Sequence, residues 1–263
     1  MATTTKKKIK KKRNKNKKNL PGILLIVSTL LLGMLVIILV YKSRSETIVG
    51  AGADRKLSGS FPLPSELIED DRKVYFAYME IPDMIFTNMQ GFSYVEGAPV
   101  SRDDLSYVKV LYWGTDDEPH QGELIVNKAI AEDVSDIFFQ LYKASYPIER
   151  ILRIDEFGGN DEVSMANNNT SCFNARKVKG SDEWSMHAYG LAIDINPLYN
   201  PYVGADGTIL PVMAEEYTDR STFFKMKIDD QDYAYKVFTE HGFTWGGDWN
   251  NTKDYQHFEK NIE

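Results

Sequence analysis

An uncharged, apolar stretch near the N-terminus constrains this chain more than any other feature. Residues 20–41 contain no charged side chain, and roughly 20 apolar residues are enough for a helix to cross a bilayer. A cleaved signal peptide would have a shorter apolar region, about 7–15 residues, ending in small residues. Here the run is longer, and the sequence Tyr-Lys-Ser-Arg-Ser from position 41 has no such site. The sequence therefore predicts one transmembrane helix over residues 20–41.

The charges on either side of this stretch predict its orientation. Residues 1–18 hold ten Lys or Arg and no acid, whereas Lys42 and Arg44 are the basic residues just after it. Positive charge concentrates on the cytoplasmic side of a span. We therefore expect residues 1–19 to form a basic cytoplasmic tail and the rest of the chain to lie outside the cell membrane.

Beyond the span the charge balance reverses. Twelve of the 31 Lys and Arg lie in residues 1–44, which have no acid, so residues 45–263 combine 19 basic with 38 acidic residues, a net charge of −19. Nucleic-acid binding needs a basic face, so the sequence predicts no nucleic-acid partner for this region. The basic tail is interpreted as a topology signal that also contacts lipid headgroups.

The segment after the span predicts a stalk followed by one domain. Residues 42–64 are rich in Ser, Gly and charge, which is typical of a flexible linker. Residues 65–263 have the length of a single domain. Cys172 is the one cysteine, so no intrachain disulfide forms. A metal ligand and a nucleophile are alternatives for Cys172, but a lone cysteine is more often a small buried packing residue.

Alternating and helical apolar patterns predict an α+β fold, with a mostly antiparallel sheet packed against helices. The predicted strands are 107–113, 123–127, 148–155, 191–195 and a last one containing Phe258; the predicted helices are 128–143 and 230–241; a polar loop spans 158–180.

Two histidines and two aspartates form the candidate site. His187 and Asp194 are seven residues apart, with Gly190 between them, which predicts a tight turn leading into a strand. Asp194 alternates with two isoleucines, and a buried acid there needs a partner or a metal. Asp254 precedes His257 by three residues, so its carboxylate can be aimed at a water on a metal held by His257. The alternative is that Asp194 lies on a solvent-exposed face of the strand, where an acidic residue is ordinary and needs no partner.

A glycine-rich aromatic segment precedes the second half of the site. The segment runs Gly-Phe-Thr-Trp-Gly-Gly-Asp-Trp from position 242 and includes Trp245. We expect it to form a wall that holds substrate against the metal; a turn with core tryptophans is the alternative, and the two are compatible.

These residues resemble a known family. The set Ser185-x-His187-x-x-Gly190-x-Ala-x-Asp194 with Asp254-x-x-His257 is similar to zinc D-alanyl-D-alanine carboxypeptidases and L-alanyl-D-glutamate endopeptidases, the VanY-like group. The resemblance extends upstream through Asn-Asn-Thr-Ser-x-Phe-Asn-x-Arg, ending at position 176, and covers nearly all of residues 75–260. It implies a hedgehog/DD-peptidase-like fold and an extracytoplasmic zinc peptidase domain over 65–263.

The resemblance also implies roles for individual residues. His187, Asp194 and His257 would bind Zn²⁺, and Asp254 would be the general base. Arg176 would bind the substrate carbonyl or the developing oxyanion, with a surface ion pair as the alternative. Ser185 and Trp245 are further expected to contribute to substrate binding, Ser185 by orienting the turn that carries a ligand. The implied substrate is a peptidoglycan stem peptide.

Two questions stay open at the level of sequence. The catalytic residues do not separate a carboxypeptidase from an endopeptidase, and a non-catalytic zinc-containing domain for cell-wall binding or signalling has the same fold. The remaining histidines, His120 and His241, are interpreted as structural or surface groups; His241 ends a predicted helix, where a positive charge is favoured.

Overall fold

A long antiparallel hairpin organises the domain. The computed structural model describes residues 61–262, and in it the nine-residue strands β2 (Leu105–Trp113) and β3 (Pro119–Asn127) pair along their whole length. Both strands are predicted from sequence, and both are longer than predicted. A short strand, β1 (Tyr78–Met79), adds to β2 to complete a three-stranded antiparallel sheet.

One helix covers this sheet. A 3₁₀ turn, Lys128–Ile130, leads into α3 (Ala131–Lys143), so the helix predicted over residues 128–143 is confirmed. Its apolar face is buried against β2, because apolar residues recur at helical spacing. The buried apolar side chains on α3 include Val134, Ile137, Phe138 and Leu141. Two shorter helices precede α3 in the chain: α1 (Arg72–Tyr75) and α2 (Asp83–Met89).

A second sheet carries the C-terminal half. Its strands, in the order in which they pair, are β6 (Ala192–Asp194), β11 (His257–Glu259) and β9 (Thr244–Trp245), all antiparallel. The helix α5 (Tyr233–Glu240), predicted within residues 230–241, precedes β9. The other strands of this half of the domain are β7 (Tyr202–Val203), β8 (Ile209–Leu210) and β10 (Lys253–Asp254). β10, β7 and β8 form a small antiparallel sheet of their own.

The segment between the two sheets differs from its prediction. Instead of a strand over 148–155, β4 (Arg150–Ile151) is followed by a 3₁₀ turn, Ile154–Phe157. The predicted polar loop over 158–180 contains α4 (Asp161–Ala166) and β5 (Asn169–Thr170), which pairs in parallel with β4. Just beyond β4, the buried side chain of Asn169 accepts from the Leu152 N–H at 2.8 Å and donates to the Leu152 carbonyl at 2.9 Å, in place of further strand pairing.

The described residues thus form an α+β domain with mostly antiparallel sheets, as predicted. The tail at 1–19, the span at 20–41 and residues 42–60 of the stalk lie outside the described residues. None of the helices within residues 61–262 has the length and apolar character needed to cross a bilayer. Cys172 is buried in the main core, in agreement with a packing role.

Candidate metal centre

Strand register brings together two of the candidate ligands. In the antiparallel pair β6–β11, His257 lies directly opposite Asp194. The neighbours Ile193 and Phe258 are fully buried in the core, and successive side chains of a strand point to opposite faces. His257 and Asp194 therefore share the other face of the pair, as the alternation around Asp194 predicts.

A tight turn supplies the third ligand. His187 lies in a 3₁₀ turn, Met186–Tyr189, with Ser185 as its N-cap and Gly190 as its C-cap. Gly190 has a φ of +68°, and a Cβ atom there would lie 2.6 Å from the backbone nitrogen of Asn127. Only glycine fits this close approach of the turn to β3 without strain. The turn predicted around Gly190 is confirmed.

The three side chains converge. His187 Nε2 lies 3.2 Å from Asp194 Oδ2 and 3.2 Å from His257 Nδ1, and His257 Nδ1 lies 3.1 Å from Asp194 Oδ1. All three residues are buried, and one ligand atom from each lies within 4.8 Å of the others. Ligand atoms about 2.0–2.1 Å from a tetrahedral Zn²⁺ are about 3.3 Å from one another. These separations fit one metal ion.

The outer nitrogen of each imidazole has an acceptor. His187 Nδ1 donates to the backbone carbonyl of Cys172 at 2.6 Å, and His257 Nε2 donates to Glu259 Oε2 at 3.1 Å. With the outer nitrogens protonated, the two inner nitrogens both present lone pairs to the same point. Metal-binding histidines are oriented in this way, so the donor set fits a metal cation.

The charge of the cluster favours a bound cation. Burial alone would raise the pKa of Asp194, but His187 and His257 hold it well below its usual range. Burial alone would lower the pKa of His257, but hydrogen bonds to Asp194 and Glu259 raise it to about 10. The carboxylates of Asp194 and Glu259 therefore stabilise a positive charge at the imidazoles, which either a proton or a metal ion can supply.

Asp254 lies beside this cluster. Burial raises the pKa of Asp254 to about 7, while the charge of His257 lowers it and that of Asp194 raises it. Its Oδ1 atom is buried and has no hydrogen-bond partner among residues 61–262. A carboxylate with a free oxygen and a pKa near neutrality suits proton transfer.

Arg176 also lies near the cluster, because its backbone carbonyl accepts a hydrogen bond at 3.1 Å from the N–H of Ser185, at the start of the turn that carries His187. Its Nη2 atom is 2.7 Å from Oδ2 of Asp161, and its Nε atom is buried with no hydrogen-bond partner within the described part of the chain. Arg176 thus forms an ion pair, but one that is half-buried rather than at the surface, and this pair leaves other N–H donors of the guanidinium available.

The other predicted site residues have different surroundings. Ser185 Oγ accepts a hydrogen bond from the backbone N–H of His187 at 3.3 Å, so it supports the turn that carries this ligand. Trp245 packs in the core and donates from Nε1 to the carbonyl of Tyr255. The position of Trp245 agrees with the expectation of a core tryptophan in this segment. The half-buried Trp249 contacts the His257 ring instead, at a centroid distance of 5.4 Å.

The remaining histidines lie elsewhere. His120 Nε2 is 2.9 Å from Asp116 in the β2–β3 turn, and His241 bridges the carbonyl of Val237 and the Asp136 carboxylate. Both make hydrogen bonds within the fold, in agreement with their interpretation from sequence.

Sequence reasoning missed three contributors: Glu259, Asp161 and Trp249. Glu259 follows His257 by two residues on a strand, so period-two alternation already places it on the same face. Asp161 and Trp249 carry no comparable signal, since their positions depend on how distant segments pack.

Comparison with known proteins covers the C-terminal part of the domain. Residues 179–260 match the family model described as D-alanyl-D-alanine carboxypeptidase. This segment contains the three candidate ligands and Asp254, and the match confirms the resemblance to this family; residues 75–178, Arg176 included, lie outside the match. No curated protein and no solved structure matches the chain.

Proposed function

We propose that this chain is a zinc peptidase that hydrolyses peptidoglycan stem peptides, because its residues 179–260 match the D-alanyl-D-alanine carboxypeptidase family. The observation that carries the proposal is the convergence of His187 Nε2, His257 Nδ1 and an Asp194 carboxylate oxygen on one point. Three protein ligands leave one position open for water, which is the arrangement of catalytic rather than structural zinc sites.

The chain's own residues divide the chemistry between them. When bound, Zn²⁺ supplies a water of lowered pKa and polarises a peptide carbonyl. Asp254 accepts the proton of the attacking water on its free Oδ1 and returns it to the nitrogen of the leaving amine. Arg176 donates to the oxygen on which negative charge develops. Ser185 holds the ligand turn in place through the His187 backbone N–H.

Location supports a cell-wall substrate. The basic tail and the apolar stretch over 20–41 favour a single-pass anchor with a cytoplasmic N-terminus, which leaves the peptidase domain outside the membrane. Peptidoglycan is the peptide polymer found there. The bond cleaved is either the terminal D-Ala-D-Ala bond or the L-Ala-D-Glu bond, because both branches of the family share these catalytic residues.

A product analysis tests the proposal. Purified full-length protein is incubated with peptidoglycan, with Zn²⁺ or with a chelator, and products are read by mass spectrometry. We expect zinc-dependent cleavage that is absent from His187→Ala and Asp254→Ala and retained by Glu240→Gln, which changes an exposed acid in α5. Loss of terminal D-Ala identifies a carboxypeptidase, and fragments split between L-Ala and D-Glu identify an endopeptidase. Zinc binding without any product favours the non-catalytic alternative.

The location has its own test. Deleting residues 20–41 is expected to move the protein from the membrane fraction to the soluble fraction, and protease added to intact spheroplasts is expected to digest the domain of the full-length protein. A domain that stays protected in intact spheroplasts contradicts the proposed topology.

A further inference from the structure

Arg176 is held by a carboxylate for which the sequence gives no signal. Asp161, the first residue of α4, places its Oδ2 atom 2.7 Å from Arg176 Nη2. The two side chains are only 22% and 32% exposed, respectively, so water screens this pair less than it screens an ion pair at the open surface. An arginine side chain has many rotamers, and a shielded ion pair restricts them.

The start of α4 is itself fixed. Asn160 caps the helix by accepting a hydrogen bond from the Val163 N–H at 3.1 Å. Asn174 Nδ2 donates to the Gly159 carbonyl at 3.4 Å, which ties the turn before α4 to the segment that carries the arginine. The Asp161 carboxylate is therefore presented from a rigid position.

Arg176 has donors left for a ligand. A guanidinium has five N–H donors, of which Nη2 engages Asp161, while Nε is buried and has no hydrogen-bond partner among the described residues. The backbone that carries Arg176 is bonded to the turn that carries His187: the Ser185 N–H donates to the Arg176 carbonyl at 3.1 Å, and the Asn174 N–H donates to the His187 carbonyl at 3.1 Å.

We infer that Asp161 is a positioning residue, which holds the guanidinium of Arg176 so that its remaining N–H donors face the scissile carbonyl oxygen. The inference rests on the proposed peptidase function and extends it to a residue outside the family match. Donors act on developing charge only if they are held in place before the reaction, and misplacement by about 1 Å can reduce a rate about 100-fold.

The same helix turn offers a matched control. Glu162 pairs with Lys179 at 3.2 Å, but these side chains are 63% and 70% exposed. Glu162→Gln removes one carboxylate from the same turn of α4 without touching Arg176. If Asp161 only joined α4 to its neighbouring segment, its loss would change thermal stability and leave the kinetics of the folded protein unchanged.

The experiment combines kinetics with a measurement that needs no turnover. Full-length wild type, Asp161→Ala, Asp161→Glu, Arg176→Ala, the double variant and Glu162→Gln are assayed on the muropeptide that wild type cleaves. Arginine Nε–H resonances are followed by NMR. We expect kcat to fall about 10- to 100-fold in Asp161→Ala with KM changed less than about threefold, partial recovery in Asp161→Glu, and no further loss in the double variant relative to Arg176→Ala. Glu162→Gln keeps the wild-type kcat.

The outcomes separate the two proposals. The Arg176 Nε–H resonance is expected to be sharp in wild type and broadened in Asp161→Ala, whether or not the protein is active. Unchanged kcat in Asp161→Ala overturns the role of Asp161, as does a further loss in the double variant. Wild-type protein that cleaves no muropeptide overturns the proposed function and, with it, the catalytic purpose of the pair.

Discussion

At the scale of single residues, Asp254 separates a peptidase from a domain that merely holds a metal. A structural zinc site needs no carboxylate with a free oxygen beside its ligands, and Asp254 Oδ1 is such an oxygen. We expect Asp254→Ala to lower kcat about 10²- to 10⁴-fold, the usual contribution of a general base, while zinc content measured by mass spectrometry stays at one ion per chain. Loss of zinc together with activity would instead make Asp254 a ligand.

The pKa of Asp254 also predicts a pH profile. A general base acts only when deprotonated, so activity is present above the pKa and is lost as the pH falls through it. Burial raises this pKa to about 7, and a bound cation lowers it, so the acidic limb of kcat/KM is expected at or below about pH 7. Measuring kcat/KM from pH 5 to 9 checks this; an acidic limb centred clearly above pH 7 contradicts it.

Glu259 carries a separate prediction. Its carboxylate accepts the hydrogen bond of His257 Nε2, and such outer partners of metal ligands change metal affinity about 10- to 100-fold when removed. We expect Glu259→Ala to weaken zinc binding by this factor in competition with a chelator, with the circular dichroism spectrum unchanged. The exposed Glu240→Gln is the control. Equal zinc affinities of Glu259→Ala and wild type would show that the hydrogen bond is dispensable.

At the scale of elements, the turn that carries His187 depends on Gly190. An alanine there meets both an unfavourable positive φ and a Cβ contact of 2.6 Å with Asn127. Gly207, in the β7–β8 turn, has a φ of +85°, but a Cβ atom added there would have no other atom within 4 Å. We expect Gly207→Ala to cost about 1 kcal/mol from strain alone and Gly190→Ala to cost several, with weakened zinc binding. Denaturant unfolding compares the two; equal losses would contradict the steric argument.

The sequence predicts the elements of the site better than their arrangement. Period-two alternation finds β2, β3 and the strand of Asp194, because each buries one face or both in the core. The direct pairing of His257 with Asp194 depends on strand register across 63 residues, which no local pattern encodes. The sequence does carry a signal for α4, since Asn160 precedes acidic residues in a first turn, but the polar composition around it favoured a loop.

The two tryptophans illustrate the same limit. Trp245 and Trp249 belong to one glycine-rich segment, and nothing local distinguishes them. The pairing of β9 with β11 places Trp245 opposite Phe258, which turns its ring into the core. Trp249 follows a further 3₁₀ turn, Gly246–Asp248, and reaches the His257 ring instead. Tertiary pairing therefore decides which aromatic residue borders the site.

At the scale of the whole molecule, the stability of a domain without disulfides depends on its hydrophobic core and on the contacts between its helices. Asp232 caps α5, where its Oδ1 accepts from the Ala234 N–H at 2.8 Å and from the Tyr146 hydroxyl at 3.0 Å. Tyr146 closely follows α3, so this carboxyl group links the two helices of the core. Burial raises the pKa of Asp232 to about 6, despite these hydrogen bonds.

This raised pKa predicts how stability depends on pH. Between the ordinary aspartate value, about 3.9, and about 6, the folded state keeps a proton that the unfolded chain has lost, so stability falls as the pH rises. Asparagine is an equally good cap and accepts the same hydrogen bonds without titrating. We expect the free energy of unfolding of Asp232→Asn, relative to that of wild type, to increase by on the order of 2 kcal/mol between pH 4 and pH 7.

Taking the difference between variant and wild type in urea unfolding cancels the other titrating groups, including Asp254, because they are common to both proteins. Asp230→Asn, which removes an exposed acid from the same loop, is the control and is expected to show a difference that changes little with pH. If the stability difference between Asp232→Asn and wild type is equally independent of pH, the carboxyl group at the start of α5 is solvated. Its burial between the two helices would then not limit the stability of the domain at neutral pH.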